Sequence, residues 1–341
     1  MKAFVYSDWG CLEVQDVPAP EIGRGEALIR VEACGICGSE LECFKSRSPR
    51  RKPPLILGHE FCGAVELLND GDADIEVGQR VVVNSVVSCG RCYPCLRGDR
   101  HLCAERQVFG MHRPGAVAQF VAAPIDHVYP MPHALDPVLA ALVEPAVCGI
   151  HLINMMPDVR YPSAVVIGAG PMGLMALQSL RALRDARVLV ADINEARLEV
   201  ARDLGAEEAL NPNKEDLVAA CVKFSRQDGV DMCIDAVGAA STKCVSLDVI
   251  RPGGACGWIG LFDDGVTLSS YRVVLSEKSI LGTYAGVRSD FECAANLLAE
   301  GRIRGGDWVK VYAIEQSVMA FERMLKAHGD DLKAVILPQG V

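Results

Sequence analysis

Four cysteines, Cys89, Cys92, Cys95 and Cys103, lie in SCGRCYPCLRGDRHLC with the spacing C-x2-C-x2-C-x7-C. Four thiolates in one short loop can close a tetrahedral zinc site. Such a site is structural, because no coordination position is left for a substrate. The bacterial iron–sulfur run is similar, but it ends in a shorter gap followed by proline, and neither is present here. Four unligated thiols clustered in so Gly- and Arg-rich a loop would be a chemical liability.

A second set of candidate ligands is dispersed: Cys37 in GICGSE, His59 and Glu60 in LGHEFCG, and Glu144 in VEPAV. A catalytic zinc takes about three ligands from Cys, His and carboxylate and keeps a place open for substrate or water. Each residue taken singly also has a plainer role. Cys37 could be a small buried hydrophobe like Cys34, His59 a satisfied core histidine, and Glu144 a turn carboxylate before Pro145. Spacing alone leaves both readings open.

The third constellation is Gly168-Ala169-Gly170-Pro171-Met172-Gly173, which follows an apolar strand and opens a helix. In that context Gly168 makes the tight turn, Gly170 lets the backbone approach a pyrophosphate, and Gly173 permits close helix–strand packing. The helix N-terminus attracts the phosphate charge. Asp192 stands 19 residues after Gly173, at the end of the next strand, where an acid binds the adenosine ribose. A carboxylate there repels a 2′-phosphate, and Ile193 supplies no compensating cation, so NAD is expected rather than NADP. The plainer role for Asp192 is a turn or cap.

These residues need two kinds of scaffold. As far as about Gly149, short apolar runs such as Ala27–Val31, Ala64–Leu68, Arg80–Val83 and Gln119–Ala122 are separated by Gly, Pro and Asp, which predicts a mostly-β domain. From about Ser163, apolar strands (Ala164–Ile167, Val188–Ala191, Met232–Ile234, Ala255–Ile259) alternate with helical stretches (Met172–Leu183, Glu195–Leu204). That pattern predicts a parallel sheet covered on both faces. A helix over Phe291–Leu298 and a strand over Leu332–Leu337 close the chain. The expected division is residues 1–150 with 287–341 for the β domain, and 151–286 for the α/β domain. The charge run Ser46–Pro54, with Arg47, Arg50, Arg51 and Lys52, is expected to be a loop.

The 341 residues are half hydrophobic and carry a formal charge of -10, which offers no basic footprint for nucleic acid. The longest apolar run, Ala164 to Leu177, is interrupted by Gly and Pro and is shorter than the roughly 20 residues a membrane span requires. The N-terminus lacks a secretory pattern, and 15 cysteines suggest a reducing compartment. A cytoplasmic protein is expected.

GICGSE, GHEFCG, the four-cysteine lobe, VEPA and VIGAGPMG, in this order, resemble the zinc-containing medium-chain dehydrogenase superfamily along essentially the whole chain. The resemblance implies a GroES-like mostly-β catalytic domain, a Rossmann doubly wound coenzyme domain, and two zinc ions per chain. It makes Cys37, His59 and Glu60 ligands of a catalytic zinc, and Glu144 a fourth ligand or the residue that holds the zinc-bound water. A glutamate at that position matches the polyol branch (sorbitol, threonine and galactitol-phosphate dehydrogenases), whereas the simple-alcohol enzymes carry a cysteine. Ser39 matches the hydroxyl that takes the alcohol proton. Many relatives place His where this chain has Glu42, so the proton route beyond Ser39 departs from theirs. Arg197 resembles the basic residue beside the adenosine ribose. Gly260, Leu261, Thr283 and Tyr284 occupy places that line the nicotinamide pocket.

The expected activity is reversible hydride transfer between NAD and a secondary hydroxyl of a polyol or sugar derivative, by a homodimer or homotetramer. An alternative is an acidic substrate (an aldonate, uronate, sugar phosphate or hydroxy amino acid), for which the Arg47–Lys52 run could bind the anion. A non-catalytic binding relative would have lost the ligands or the glycine loop, and this chain keeps both.

Overall fold

The structure is a computed structural model, and it describes residues 1–69, 74–132, 134–326 and 332–340. The chain divides into two compact units. The first comprises Met1–Glu144, Val287–Glu300 and Gly305–Val341; the second comprises Pro145–Gly286 and Gly301–Arg304. The short return of Gly301–Arg304 is held by side chains of the helix Pro171–Arg184. The Gln178 carboxamide accepts from the Arg304 amide and donates to its carbonyl, and Arg302 donates to the Ala182 carbonyl.

In the first unit, Glu26–Gly35 is the central strand. It pairs antiparallel with Glu60–Leu68, Phe120–Pro124 and the C-terminal strand Lys333–Leu337. Arg80–Val83, Val128–Pro130 and Val309–Ala313 extend this to seven strands, and Lys2–Asp8, Cys11–Asp16 and Leu55–Ile56 form a separate three-stranded sheet. Alternate side chains of these strands, among them Phe4, Ile29, Val31, Phe61, Val81 and Ile336, meet in one apolar core with Phe109 and Phe321. The strand at Ala27–Val31 expected from the sequence is longer, because its outer half is pinned by partners distant in sequence. The helix Gly38–Lys45 in this unit was not anticipated.

The second unit holds six parallel strands in the order Glu208–Leu210, Arg187–Ala191, Ser163–Ile167, Val230–Asp235, Ile250–Trp258, Ser279–Gly282. Counted from Ser163–Ile167, the order is 3-2-1-4-5-6, the doubly wound arrangement whose ligand crevice opens at the carboxyl ends of the strands. The helix Glu195–Asp203 ends as expected at Gly205, which adopts φ +98°. Among the described residues no helix is long and apolar enough to cross a membrane.

Candidate functional site

Register builds the first cluster. Gly35 pairs with Glu60 across the central strands, so Cys37, just past the end of one strand, meets His59 and Glu60 at the start of the other. Ligand atoms of Cys37, His59 and Glu60 all lie within 4.8 Å of one another. Gly35 is required at the crossing, because a Cβ there would stand 2.3 Å from Glu60 Oε2. Gly58, at φ +104°, turns the chain into His59, and a Cβ on it would stand 2.6 Å from the Val117 amide.

Glu40, buried at N3 of the helix that Cys37 caps, was not singled out from the sequence, although a carboxylate three residues after a cap is a known signal. Its Oε2 accepts from the Cys37 amide (3.1 Å). Its Oε1 accepts from the Gly58 amide (2.8 Å) and lies 3.3 Å from His59 Nδ1. That contact leaves His59 Nε2 as the nitrogen for a metal, the usual outer support of a ligating histidine. Burial pushes the Glu40 carboxyl up, but the His59 ring, Arg51 and the Cys37 amide outweigh it and hold it at about 2. For His59, burial acts downward, and the Cys37 sulfur and Glu40 raise its pKa well above the ordinary value.

Lys333 is the second residue the sequence did not disclose. It is 2% exposed, pairs its ammonium with Glu60, and donates to the Ile36 carbonyl at 3.0 Å. The available signal was a lysine inside an otherwise apolar strand, KAVIL. Burial lowers its pKa, but Glu60 and the Cys37 sulfur more than reverse this, and the net shift is upward.

Glu144 is not within the three-residue group. It is half-buried and accepts from Ser85 Oγ at 2.8 Å. Burial raises its pKa, Glu60 adds to the rise, and His59 opposes it. Its carboxyl is thus coupled electrostatically to His59 and Glu60. Ser39 Oγ donates to Cys37 Sγ at 3.3 Å, and Glu42 is exposed. Of the basic run, Arg47, Arg50 and Lys52 are exposed, but Arg51 is folded inward, which removes it from a surface anion site.

The four lobe cysteines come together around the short helix Tyr93–Leu96, with Cys92 Sγ 3.4 Å and Cys89 Sγ 4.0 Å from Cys95 Sγ. Sulfurs about 2.3 Å from a central zinc would be about 3.8 Å apart, so the donor set and its size fit that ion. The Arg91 and Cys92 amides point at Cys89 and pull its thiol down to about 6, favouring the thiolate a metal needs. None of the 15 cysteines is in a disulfide.

In the second unit, Gly168 (φ +98°), Asp192, Gly260 and Thr283 all follow the carboxyl ends of neighbouring parallel strands. Gly170 caps the helix Pro171–Arg184, in which Met172 is half-buried. A Cβ on Gly173 would stand 1.8 Å from the Gly168 carbonyl oxygen, and one on Gly260 would stand 2.2 Å from Val237 backbone. Asp192 accepts from the Ala169 amide (2.7 Å) and the Asn194 amide (2.8 Å), so it also braces the glycine loop. Two buried polar atoms here have no partner, Arg197 Nε and Thr283 Oγ1. Buried donors without a protein partner in this unit are groups that a bound dinucleotide could satisfy. Leu261 and Tyr284 are exposed at the same end of the sheet.

Residues 23–133 match the alcohol dehydrogenase GroES-like domain, and residues 171–300 match the zinc-binding dehydrogenase domain. The L-threonine 3-dehydrogenase of Pyrococcus horikoshii is 32% identical over 266 residues, 77% of this chain and 76% of that protein. Its Bacillus subtilis counterpart is 31% identical over 83% of this chain and 82% of that protein. Among solved structures, the alcohol dehydrogenase of a Thermus species superposes with a TM-score of 0.92 at 29% identity, covering 99% of each chain. A Sinorhizobium meliloti zinc-binding dehydrogenase solved with NADP gives 0.91 at 28% identity, again covering 99% of each. The chain belongs to the zinc-containing medium-chain dehydrogenase/reductase superfamily of NAD-linked oxidoreductases that act on hydroxyl groups.

Proposed function

We propose that this enzyme oxidises a secondary hydroxyl of a polyol or sugar derivative with NAD, and reduces the corresponding ketone in reverse. Glu144 carries the substrate class. A carboxylate that feels His59 and Glu60 can accept a hydrogen bond from substrate, and Ser85 holds it in place. A vicinal diol has a second hydroxyl in need of such an acceptor, whereas a simple alcohol has none.

Cys37, His59 and Glu60 would hold a zinc ion that, when bound, makes the substrate hydroxyl more acidic. Glu40 fixes the His59 ring, Lys333 balances the charge of Glu60, and Ser39 is placed to accept a hydrogen bond from the substrate hydroxyl as its proton leaves. Cys89, Cys92, Cys95 and Cys103 would hold a second zinc that organises the lobe. The free thiols suit a reducing, cytoplasmic setting. A second reading, oxidation of a hydroxy amino acid, is favoured by the L-threonine 3-dehydrogenases among the relatives. For it, exposed Arg47, Arg50 and Lys52 remain as candidate carboxylate contacts.

The metal assignment predicts about two zinc per chain in purified protein and about one in Cys89→Ser, with a clear drop in melting temperature. Titration of the chelated, denatured protein should count all 15 thiols. One zinc in the wild type would end the division into two sites, and fewer thiols would end the reducing-compartment reading.

For the cofactor, Asp192 should favour NAD over NADP strongly. Asp192→Ala should narrow that preference by at least about tenfold, because a like-charge clash is removed. It should also weaken NAD binding, since the glycine loop loses its brace. A wild-type preference for NADP would refute this role.

Self-association is inferred from the exposed side chains of Tyr271, Val274 and Leu275, which precede the edge strand Ser279–Gly282. Sedimentation at micromolar concentration should show a dimer or tetramer; a stable monomer would remove the inference.

The substrate is tested by NADH formation on sorbitol, 2R,3R-butanediol, an aldonate, a sugar phosphate, L-threonine and ethanol. A polyol should lead. On it, Glu144→Gln should lose roughly 10- to 100-fold in kcat/KM with KM for NAD unchanged. Wild-type kinetics in Glu144→Gln would remove that residue from the site, L-threonine in first place would select the second reading, and ethanol in first place would overturn both.

A further inference from the structure

Arg51 is the largest fully buried side chain among the described residues. It comes from a loop whose other basic residues point to solvent, and all its acceptors are neutral. Nε donates to the Gly110 carbonyl (2.8 Å), Nη1 to the Ser39 carbonyl (2.8 Å) and to Cys43 Sγ (3.2 Å), and Nη2 to Ser39 Oγ (3.2 Å). A guanidinium gives up much hydration on burial, and none of these partners returns a full opposite charge. The nearest help is Glu40, whose carboxyl Arg51 helps hold ionised. Tying one turn to another needs no cation. What the planar fork achieves here is to grip the backbone and the hydroxyl of Ser39 together.

A guanidinium has donors only. With Nη2 directed at its oxygen, the Ser39 hydroxyl cannot turn its hydrogen toward Arg51. That hydrogen instead points to Cys37 Sγ, 3.3 Å away. The hydroxyl rotor is thereby held in one orientation, with a lone pair left to accept a hydrogen bond from the substrate hydroxyl. Gly110 joins the same network: its φ is +64°, and a Cβ there would stand 2.9 Å from the amide of Gly58, the residue before His59.

We propose that Arg51 is a positioning residue for Ser39, locking the serine hydroxyl in the orientation that accepts a hydrogen bond from the substrate hydroxyl. The proposal rests on the role given to Ser39 above. It also accounts for how a chain with exposed Glu42 keeps its serine ordered.

A double-mutant cycle tests it. Wild type, Ser39→Ala, Arg51→Met and the double variant are compared on NAD with the alcohol that turns over fastest in the panel above. Zinc content and melting temperature are recorded for each. Arg51→Met should lower kcat by roughly tenfold with KM for NAD and zinc content unchanged, and should cost less than about twofold once Ser39 is already alanine. Arg51→Lys, which keeps the charge but not the fork, should recover only part of the rate. If Ser39→Ala is impaired and Arg51→Met costs the same factor with or without the serine, Arg51 acts on structure alone and the proposal fails, while the role of Ser39 stands. If Ser39→Ala is fully active, the role of Ser39 fails first and takes that of Arg51 with it. Full activity in Arg51→Lys would also overturn the proposal. Should Arg51→Met not fold, Arg51→Gln takes its place in the cycle, with the same outcomes deciding.

Discussion

Glu40 has a single side chain, yet three separate pieces of the metal cluster depend on it. It binds the amide of Cys37, the amide of Gly58 and the ring of His59, so two candidate ligands 22 residues apart are referred to one buried point. A buried carboxylate is tolerable only if its acceptors are filled, and these contacts fill them. The same requirement works in reverse. Removing one partner of a buried charged pair leaves the other uncompensated, at a cost of about 3–5 kcal/mol. These contacts tie the cluster's charges to fixed partners.

Extending that logic outward accounts for the residues around it. Glu60 is buried with a cation beside it, which Lys333 supplies from the C-terminal strand. Arg51 adds positive charge behind Ser39 and Glu40. Glu144, which also feels His59, Glu60 and Lys333, accepts from Ser85. Acidic and basic groups thus alternate through the first unit's site, and a divalent ion fits the thiolate, imidazole and carboxylate that face one another.

The second unit uses carboxylates in the same manner but for backbone. Asp192 accepts from the glycine loop, Asp235 from the Val237 and Gly238 amides, and Asp231 from Ser163 and Arg251. Each sits at an end of a parallel strand, where the chain turns and leaves amides without ladder partners. Asp231 does this at the amino ends, Asp192 and Asp235 at the carboxyl ends, where such bracing would limit the entropy lost when a dinucleotide binds.

The sequence by itself determined whatever depends on neighbours in the chain. The four-cysteine lobe lies within 15 residues, the glycine loop within six, and the parallel sheet follows from apolar runs alternating with helical periodicity. The strand at the C-terminus was visible for the same reason. Tertiary structure decided what depends on pairing between distant segments. Lys333 reaches Glu60 only because its strand pairs antiparallel with Glu26–Gly35, about 300 residues away in the chain, an association that no local pattern encodes. Arg51 sits in a run that reads as solvated, and its inward turn is set by acceptors at Gly110 and Ser39. Glu60 and Glu144 look equivalent as ligands in sequence. Register pairs Glu60 with Gly35 next to Cys37, whereas Glu144 comes from a helix and accepts from Ser85. Local chemistry can be written in spacing, but the partners of a buried charge are chosen only when the strands align.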